Sequence, residues 1–238
     1  MIHRFVFLWL MFGLFGVTSV QAQGRLQKEA HLALSASSNH FTWSPAYFWH
    51  WGLGKKQKFR LGAGLRYNGA WSKDQEFTTA PAKLTSGETG PQVLFTENIP
   101  ANIDTFKVVG NSLVHSFNLA ILLAWQWNSK WETGFNIDAI GFSTGSQVSM
   151  VQQSSGIVLP VVEKGKPYPF NALLVSDNDL GSLNSELYAL YRFRPNHALR
   201  FGATFIFSEY QTDRKLRLDN DRFRHKSLQL MVGYGYRF

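Results

Sequence analysis

Charged side chains recur at alternate positions in several stretches of this 238-residue chain, on the face opposite to bulky apolar residues. The arginines on that face are Arg60, Arg66, Arg192, Arg194, Arg200 and Arg237. The carboxylates on the same face are Glu132, Asp138 and Glu186. Such groups support two chemistries, a path for anions or a salt-bridged network that fills an interior. Because buried charges must be paired, the sequence favours the network.

Two other groupings invite a functional interpretation. Asp177-Asn178-Asp179 and Asp219-Asn220-Asp221 carry oxygen atoms at the close spacing that calcium accepts. Neither has the twelve-residue loop with a closing Glu, so Asx turns are favoured. His115-Ser116 comes nearest to a base and nucleophile, but neighbours along a strand point to opposite faces. We predict no catalytic residue, no cofactor and no metal site.

The composition removes several classes of function. The chain has no cysteine, which excludes a disulfide scaffold, a zinc ribbon, an iron–sulfur protein and a thiol enzyme. Aromatic residues make up 15% of the chain, which disfavours disorder. The net charge is +8, but the basic residues are scattered, so no nucleic-acid partner is predicted.

Residues 1–22 have the pattern of a secretory signal peptide. Arg4 supplies the positive charge, Phe5 to Val17 form an apolar run of 13 residues, and Val20-Gln21-Ala22 is a small-residue cleavage site. That run is shorter than the roughly 20 residues of a membrane-spanning helix. We therefore predict an exported protein whose mature part, residues 23–238, is one domain.

The mature part alternates apolar residues with polar or small ones at a period of two, as strands do. The clearest case is 227–238, where one face is wholly apolar. The predicted strands are 30–36, 46–54, 59–68, 117–127, 131–140, 186–194, 199–207 and 227–238. Short turns alternate with long connections, and the long ones are 72–111, 145–181 and 211–225.

Two kinds of closed sheet fit eight alternating strands. A soluble barrel turns its apolar face inward, whereas a transmembrane barrel turns it to lipid. Six arginines do not fit an apolar core but do fit a polar interior. Aromatic residues near the strand ends also suggest two interfacial girdles, with Phe59 and Trp125 on one rim and Tyr47, Trp49 and Tyr67 on the other. We therefore predict an all-β fold, an eight-stranded antiparallel up-and-down transmembrane β-barrel with short periplasmic turns and long extracellular loops.

The chain resembles small Gram-negative outer-membrane barrel proteins of the OmpA, OmpX and OmpW type. The resemblance rests on the N-terminal segment, the eight strands, the loop asymmetry and the terminal Tyr234-Gly-Tyr-Arg-Phe238. It implies a place in the outer membrane, in contact with its lipid. It also implies that Tyr234, Tyr236 and Phe238 are presented to the barrel-insertion machinery. The peptidoglycan-binding domain of OmpA-like proteins is not expected.

The last predicted loop is basic, and its cations are Arg214, Lys215, Arg217, Arg222, Arg224 and Lys226. In the outer membrane, such groups just above the bilayer bind lipopolysaccharide phosphates. A solvated charged loop explains them equally well, and the residues leave both interpretations open.

These observations predict a non-enzymatic outer-membrane protein that acts through its extracellular loops. That role includes surface binding, lipopolysaccharide contact or envelope structure, and no specific extracellular ligand is predicted. Two alternatives stay open: a lipid-modifying enzyme of the lipid A deacylase kind, and a narrow pore. Because side chains fill the interior of an eight-stranded barrel, a wide porin channel is not expected.

Overall fold

The structure is a computed structural model that describes residues 26–153, 161–174 and 178–238. Those residues form one antiparallel sheet of thirteen strands. The strands are β1 Gln27–Ser37, β2 His40–Leu53, β3 Phe59–Lys73, β4 Glu76–Thr79, β5 Thr105–Val108, β6 Asn111–Gln126, β7 Trp131–Gly145, β8 Val148–Gln153, β9 Val162–Pro167, β10 Phe170–Ala172, β11 Leu183–Arg194, β12 His197–Thr212 and β13 Arg222–Arg237. The helical segments are α1 Ala82–Thr85 and 3₁₀ turns at Gly90–Phe95, Pro100–Asn102 and Arg217–Asp219. Among the described residues, no helix is long and apolar enough to cross a membrane. The predicted signal peptide, residues 1–22, lies outside the described ranges.

Eight long strands pair in a closed cycle, which we call the strand ring. Its order is β1, β2, β3, β6, β7, β11, β12 and β13, and β13 pairs again with β1. Because the last strand pairs with the first, the ring leaves no open sheet edge. Each of the eight strands predicted from alternation overlaps one of these long strands, although three of the predicted strands end one residue too late, at Gly54, Trp127 and Phe238.

The sequence prediction missed five short strands. β4 and β5 lie in the connection predicted at 72–111, and β8, β9 and β10 lie in that predicted at 145–181. With three to six residues each, they are too short for their alternation to stand out. The third long connection is shorter than predicted, because β12 continues to Thr212 and β13 begins at Arg222.

Four of the short strands, β4, β5, β8 and β9, form a structure that we call the cap. They pair in that order, β4 pairs with β13 at Thr79 and Phe223, and β9 pairs with β12 at Pro167 and Tyr210. Since β12 and β13 also pair with each other, the six strands close a second, smaller cycle. The cap therefore sits at one end of the strand ring, the cap end. The opposite end is the Phe238 end.

The cap has its own apolar core. Its largest members are Phe77, Phe106, Met150, Tyr210 and Phe223, each no more than 1% exposed. The rings of Phe106 and Phe223 are 4.6 Å apart, a spacing typical of favourable aromatic pairs. Ala70 of β3 and Val114 of β6, which face the interior of the strand ring, belong to the same cluster. The cap core therefore closes the interior of the ring at the cap end.

The two faces of the strand ring differ as the alternation predicted. Apolar side chains point outward, and Leu230 is 81% exposed while its neighbour Gln229 is 2% exposed. The same contrast separates exposed Ile121 from buried Asn118 and Leu122. An apolar exterior around a largely polar interior is the reverse of a soluble barrel.

One part of the predicted aromatic arrangement is wrong. Tyr47 lies 5.7 Å from Phe238, ring to ring, and Trp49 pairs with Lys28 of β1. Tyr47 and Trp49 lie opposite Leu65 and Ala63 of β3, so both are on the Phe238 side of Tyr67 rather than on the opposite rim with it. The cause is the length of β2, which begins at His40, so that Tyr47 and Trp49 lie in its second half.

Replacing Phe106 with Ala is expected to destabilise the cap by about 3–5 kcal/mol, the usual cost of removing a buried aromatic side chain. Phe95, which is 90% exposed on the β4–β5 connection, is the matched control. Phe95→Ala is expected to change stability by less than about 0.5 kcal/mol. Thermal unfolding and limited proteolysis of both variants measure the difference, and equal effects would contradict the account of the cap core.

Candidate functional site: the charged interior of the strand ring

The charged residues predicted to share one face lie in the interior of the strand ring, with one exception. Asp138 is fully buried, and Arg66, Arg200 and Glu186 are each 2% exposed. Alternation along β3, β7, β11 and β12 places them there, because every second side chain of a closed ring points inward. Charged side chains from different strands therefore meet in the interior of the ring.

Arg66 of β3 is at the centre of the network. Its Nε donates to Oδ1 of Asp138 at 2.7 Å, and its Nη1 lies 3.4 Å from Oε1 of Glu186. It also donates to the side chain of Asn136 and to the backbone carbonyl of Asn184. The guanidinium therefore has partners on both β7 and β11, across the interior from its own strand.

Asp138 is held by more than its arginine. Its Oδ2 accepts from Asn118 Nδ2 at 2.7 Å, from Asn68 Nδ2 at 3.0 Å and from the backbone N–H of Asn184 at 2.9 Å. A buried charge surrounded by so many donors is compensated without solvent. These amide side chains were not singled out in the sequence, since Asn at an inward position carries no signal of its own.

Glu186 links the central group to the next arginine. Its Oε2 accepts from Arg200 Nη2 at 3.0 Å and from Asn136 Nδ2 at 3.0 Å. The guanidinium of Arg200 also lies 4.0 Å from the ring centre of Tyr188, in cation–π geometry. The network therefore continues from β3 through β7 and β11 to β12.

A second group of charges lies toward the Phe238 end. Arg60 Nη1 donates to Glu132 at 2.5 Å, and Glu29 lies 3.2 Å from Arg192 and 3.8 Å from Arg237. The sequence prediction missed Glu29 and left these arginines with Glu132 as their one neighbouring acid. Glu29 was overlooked because it lies one residue before the start predicted for the first strand.

Arg194 is the exception among the predicted interior arginines. It is exposed, and the pairing of β11 with β12 shifts between Arg192 and Arg194. That irregularity at the turn breaks the alternation, which is why the prediction for Arg194 is wrong.

The charge balance of the interior follows from these two corrections. The sequence predicted six arginines and three carboxylates, an excess of three. Within the described part of the chain, the structure places five arginines against four carboxylates, the latter being Glu29, Glu132, Asp138 and Glu186. The interior is therefore nearly neutral, as a set of buried ion pairs requires.

The basic C-terminal segment is only partly a free cationic surface. Arg214 pairs with Glu163, Lys215 with Asp219 at 2.7 Å, and Arg217 with Asp104 at 3.1 Å. The partner carboxylates raise the pKa of Arg214 and of Lys215 above their ordinary values. All three cations are about half exposed or more, and such pairs contribute little to stability. Lys226 is exposed on the outer face of β13.

Arg222 and Arg224 differ from the other cations of this segment. Both turn to Glu209, which is fully buried: Arg222 Nη2 lies 2.9 Å and Arg224 Nη2 2.6 Å from its carboxylate. Gly181 N–H donates to the same carboxylate at 2.9 Å, and both arginines also donate to the carbonyl of Asp179. The sequence left lipid contact and a charged loop open for these two arginines, and the contacts favour a third role, since they hold the 179–181 segment against β12 and β13.

The two Asp-Asn-Asp stretches use their oxygens within the fold. Asp179 Oδ1 accepts from the N–H of Leu174 at 2.6 Å, and Asn220 Oδ1 accepts from the N–H of Arg222 at 3.0 Å. Asp221 Oδ2 accepts from Gln211 at 2.7 Å. Asp177 lies outside the described residues. No group of three or more potential metal-binding side chains is found in the ranges that the structure covers.

His115 and Ser116 lie on opposite faces of β6. Nδ1 of His115 is 2.5 Å from Oη of Tyr67 on the outside, whereas buried Ser116 accepts from Asn68 Nδ2 at 3.1 Å on the inside. This arrangement does not assemble a nucleophile and its base.

The terminal aromatic residues lie on the outer face at the Phe238 end. Phe238 is 66% exposed, its ring is 5.1 Å from that of Tyr236, and its N–H donates to the carbonyl of Lys28 at 3.0 Å. Tyr234 is half exposed on the same face and is hydrogen-bonded to His197.

No protein-family model and no curated protein sequence matches the chain. Among solved structures, Neisserial surface protein A matches at 12% identity and a TM-score of 0.33, covering 90% of this chain and 96% of its own. The Ail protein of Yersinia pestis matches at 12% identity and a TM-score of 0.36, covering 90% of this chain and 99% of its own. The CymD monoaromatic hydrocarbon channel matches at 8% identity and a TM-score of 0.23, with 91% and 90% covered. Similarity at this level carries no argument about function.

Asp138→Asn is expected to lower the free energy of unfolding by about 3–5 kcal/mol, because it leaves Arg66 without its closest counter-charge. Urea unfolding in detergent micelles measures the loss. Lys215→Gln, which breaks an exposed pair, is the control and is expected to cost less than about 1 kcal/mol. A similar cost for the two variants would contradict the role assigned to the interior network.

Proposed function

We propose that the chain is an integral outer-membrane β-barrel protein in which the eight strands of the ring cross the bilayer. The observation that carries the proposal is the apolar exterior of a closed ring whose interior holds paired charges. A closed ring satisfies its backbone hydrogen bonds internally, as a segment in lipid must. The exposed Leu65, Leu119, Leu228 and Val232 then face hydrocarbon rather than water.

The length of the strands supports this proposal. The outward residues of β3 run from Phe59 to Trp71, a span of about 40 Å at roughly 3.3 Å per residue. A tilt of about 40° reduces that span to about 30 Å along the membrane normal, close to the apolar band of about 25 Å in such barrels. The strands are therefore long enough to cross, with aromatic residues near both ends.

The orientation that we propose places the cap outside the cell and the short turns in the periplasm. Short turns on the periplasmic side are the rule in this class. The pattern of residues 1–22 supports export by a signal peptide, and the exposed Phe238 at the periplasmic end supports presentation to the barrel-insertion machinery.

Within this proposal, the protein does not conduct and acts through its outer surface. The interior charges are paired, and the cap core fills the cap end, so neither supports a continuous water path. The cap provides a four-stranded sheet outside the membrane. Arg214, Lys215 and Arg217 are the cations that we propose for contact with lipopolysaccharide phosphates, since their present pairs are exposed.

We also propose that the protein is not an enzyme. The separation of His115 from Ser116 by the wall of the ring supports this proposal. Mass spectrometry of lipid A after incubation with the purified protein tests it, with no change in lipid mass expected. Removal or addition of an acyl chain would contradict it.

Single cysteines at Ile121 and Phe205 are expected to react with an acyl-chain-borne probe in reconstituted liposomes, because both side chains point outward. Cysteines at Asn118 and Thr204 point inward and are the matched controls, expected to stay unlabelled. Labelling of the inward positions, or none at the outward ones, would contradict a membrane-spanning ring.

The reconstituted protein is expected to give no large, stable conductance in planar bilayers. Paired arginines and carboxylates leave no wide aqueous path through the interior. Porin-sized current steps would contradict the closed interior and would make the arginines a selectivity element.

A further inference from the structure

The interior of the strand ring carries one more positive charge than negative charges, counted over the described residues. It holds five arginines and four carboxylates. Two of the arginines are matched by Asp138 and Glu186 in the middle of the ring, and Arg60 is matched by Glu132 toward the Phe238 end. The remaining carboxylate, Glu29, therefore faces two arginines, and the excess charge lies beside it.

The two arginines around Glu29 are Arg192 of β11 and Arg237 of β13. Nη2 of Arg192 is 3.2 Å from Oε1 of Glu29, and Nη2 of Arg237 is 3.8 Å from Oε2 of the same carboxylate. Arg237 pairs directly with Glu29 across β13 and β1, so both side chains point to the same side of the sheet. Arg237 is also repelled by Arg60 and by Arg192. One carboxylate thus cannot neutralise both guanidinium groups.

Some nitrogen atoms of these two arginines have no hydrogen-bond acceptor within the described part of the chain. They are Nη1 of Arg192 and both Nε and Nη2 of Arg237, and all three are buried. Arg60 differs, because it donates to the side chains of Glu132 and Gln126. A buried donor without an acceptor is rare in a folded protein, and a bound water or ion is its usual explanation.

Two histidines complete the surroundings of Glu29. Nε2 of His50 is 3.3 Å from Oε2 of Glu29, and Nε2 of His31 is 3.7 Å from Oε1. Gly235 lies on the other side, where a Cβ atom would be 3.5 Å from Oε1 of Glu29, so its missing side chain leaves room beside the carboxylate. Protonation of either histidine would add positive charge. The excess of positive charge therefore does not depend on their protonation state.

The charge decides which partner fits the unmatched donors. Water would accept the hydrogen bonds but would leave the excess charge in place, and burying an uncompensated charge is costly. One monovalent anion accepts the hydrogen bonds and brings the sum of charges to zero. A divalent anion would leave an excess of negative charge beside Glu29 and Glu132. Because Arg237 is 18% exposed at the Phe238 end, an ion from the solvent reaches this site.

We propose that Arg192 and Arg237 bind one small monovalent anion, such as chloride, beside Glu29. This inference goes beyond the proposed function, and it requires the strand ring but no particular orientation in a membrane. With the cap outside the cell, the site faces the periplasm. Since the cap core closes the opposite end of the interior, the ion acts as a resident counter-charge and does not cross the ring.

The test is urea unfolding of the full-length protein in detergent micelles, with sodium gluconate replaced by sodium chloride at constant ionic strength. Gluconate is also monovalent but much larger than chloride. For one ion that binds only the folded state, a tenfold rise in chloride raises the folding equilibrium constant by at most about tenfold. We expect a rise of about two- to tenfold.

Two variants assign this effect to the site. Arg237→Gln leaves Glu29 with Arg192 alone, so it is expected to remove the dependence on chloride. Arg194→Gln removes the same charge from an exposed arginine at the same end, and this matched control is expected to keep the dependence. General effects of the salts on the protein surface act on all three proteins alike.

Arg192→Gln repeats the comparison, should Arg237→Gln fail to fold. Equal stability of the original protein in chloride and in gluconate would overturn the proposal, and so would an equal chloride effect in Arg237→Gln and Arg194→Gln. Sodium sulfate at the same ionic strength is the third salt. A larger gain with sulfate that Arg237→Gln removes would overturn the assignment to a monovalent anion.

Discussion

The rest of the structure depends on the pairing of Arg66 with Asp138 and Glu186 inside a closed ring of strands. Closure forces every second side chain inward, where charged groups have no ready contact with water. Burying an arginine there raises the free energy of the folded protein by several kcal/mol unless carboxylates and hydrogen bonds compensate its charge. Side chains from β3, β6, β7 and β11 meet around this one guanidinium, and their meeting fixes how the opposite walls of the ring are placed.

The interior is closed by two different means along its length. Ion pairs fill its middle and the Phe238 end, whereas the apolar core of the cap fills the opposite end. These means are complementary, because the paired charges need an environment without competing water and the cap excludes it at the cap end. With the interior filled, the outer surface is left to act, above all the cap with its exposed cations.

The sequence predicted the eight long strands because alternation over seven or more residues has a clear physical cause, the opposite directions of successive side chains. It failed where that pattern is short or broken. β5 has four residues, Arg194 follows a shift in pairing, and Glu29 precedes the predicted first strand. Nor did the sequence reveal the second, smaller cycle, in which the cap pairs with β12 and β13. Such pairing joins residues that are distant in the chain. The sequence could not reveal the contacts of Arg222 and Arg224 for the same reason, because their partner Glu209 lies on another strand.

The central claim is that the strand ring separates lipid hydrocarbon on its outside from a closed, charged interior. Solid-state NMR of the protein in lipid bilayers tests it directly, by transfer of magnetisation from lipid methylenes and from water to assigned side chains. The account predicts transfer from lipid to the methyl groups of Leu119, Ile121 and Val232, and slow transfer from water to the guanidinium of Arg66. Rapid transfer from water to Arg66, together with none from lipid to those methyl groups, would contradict it.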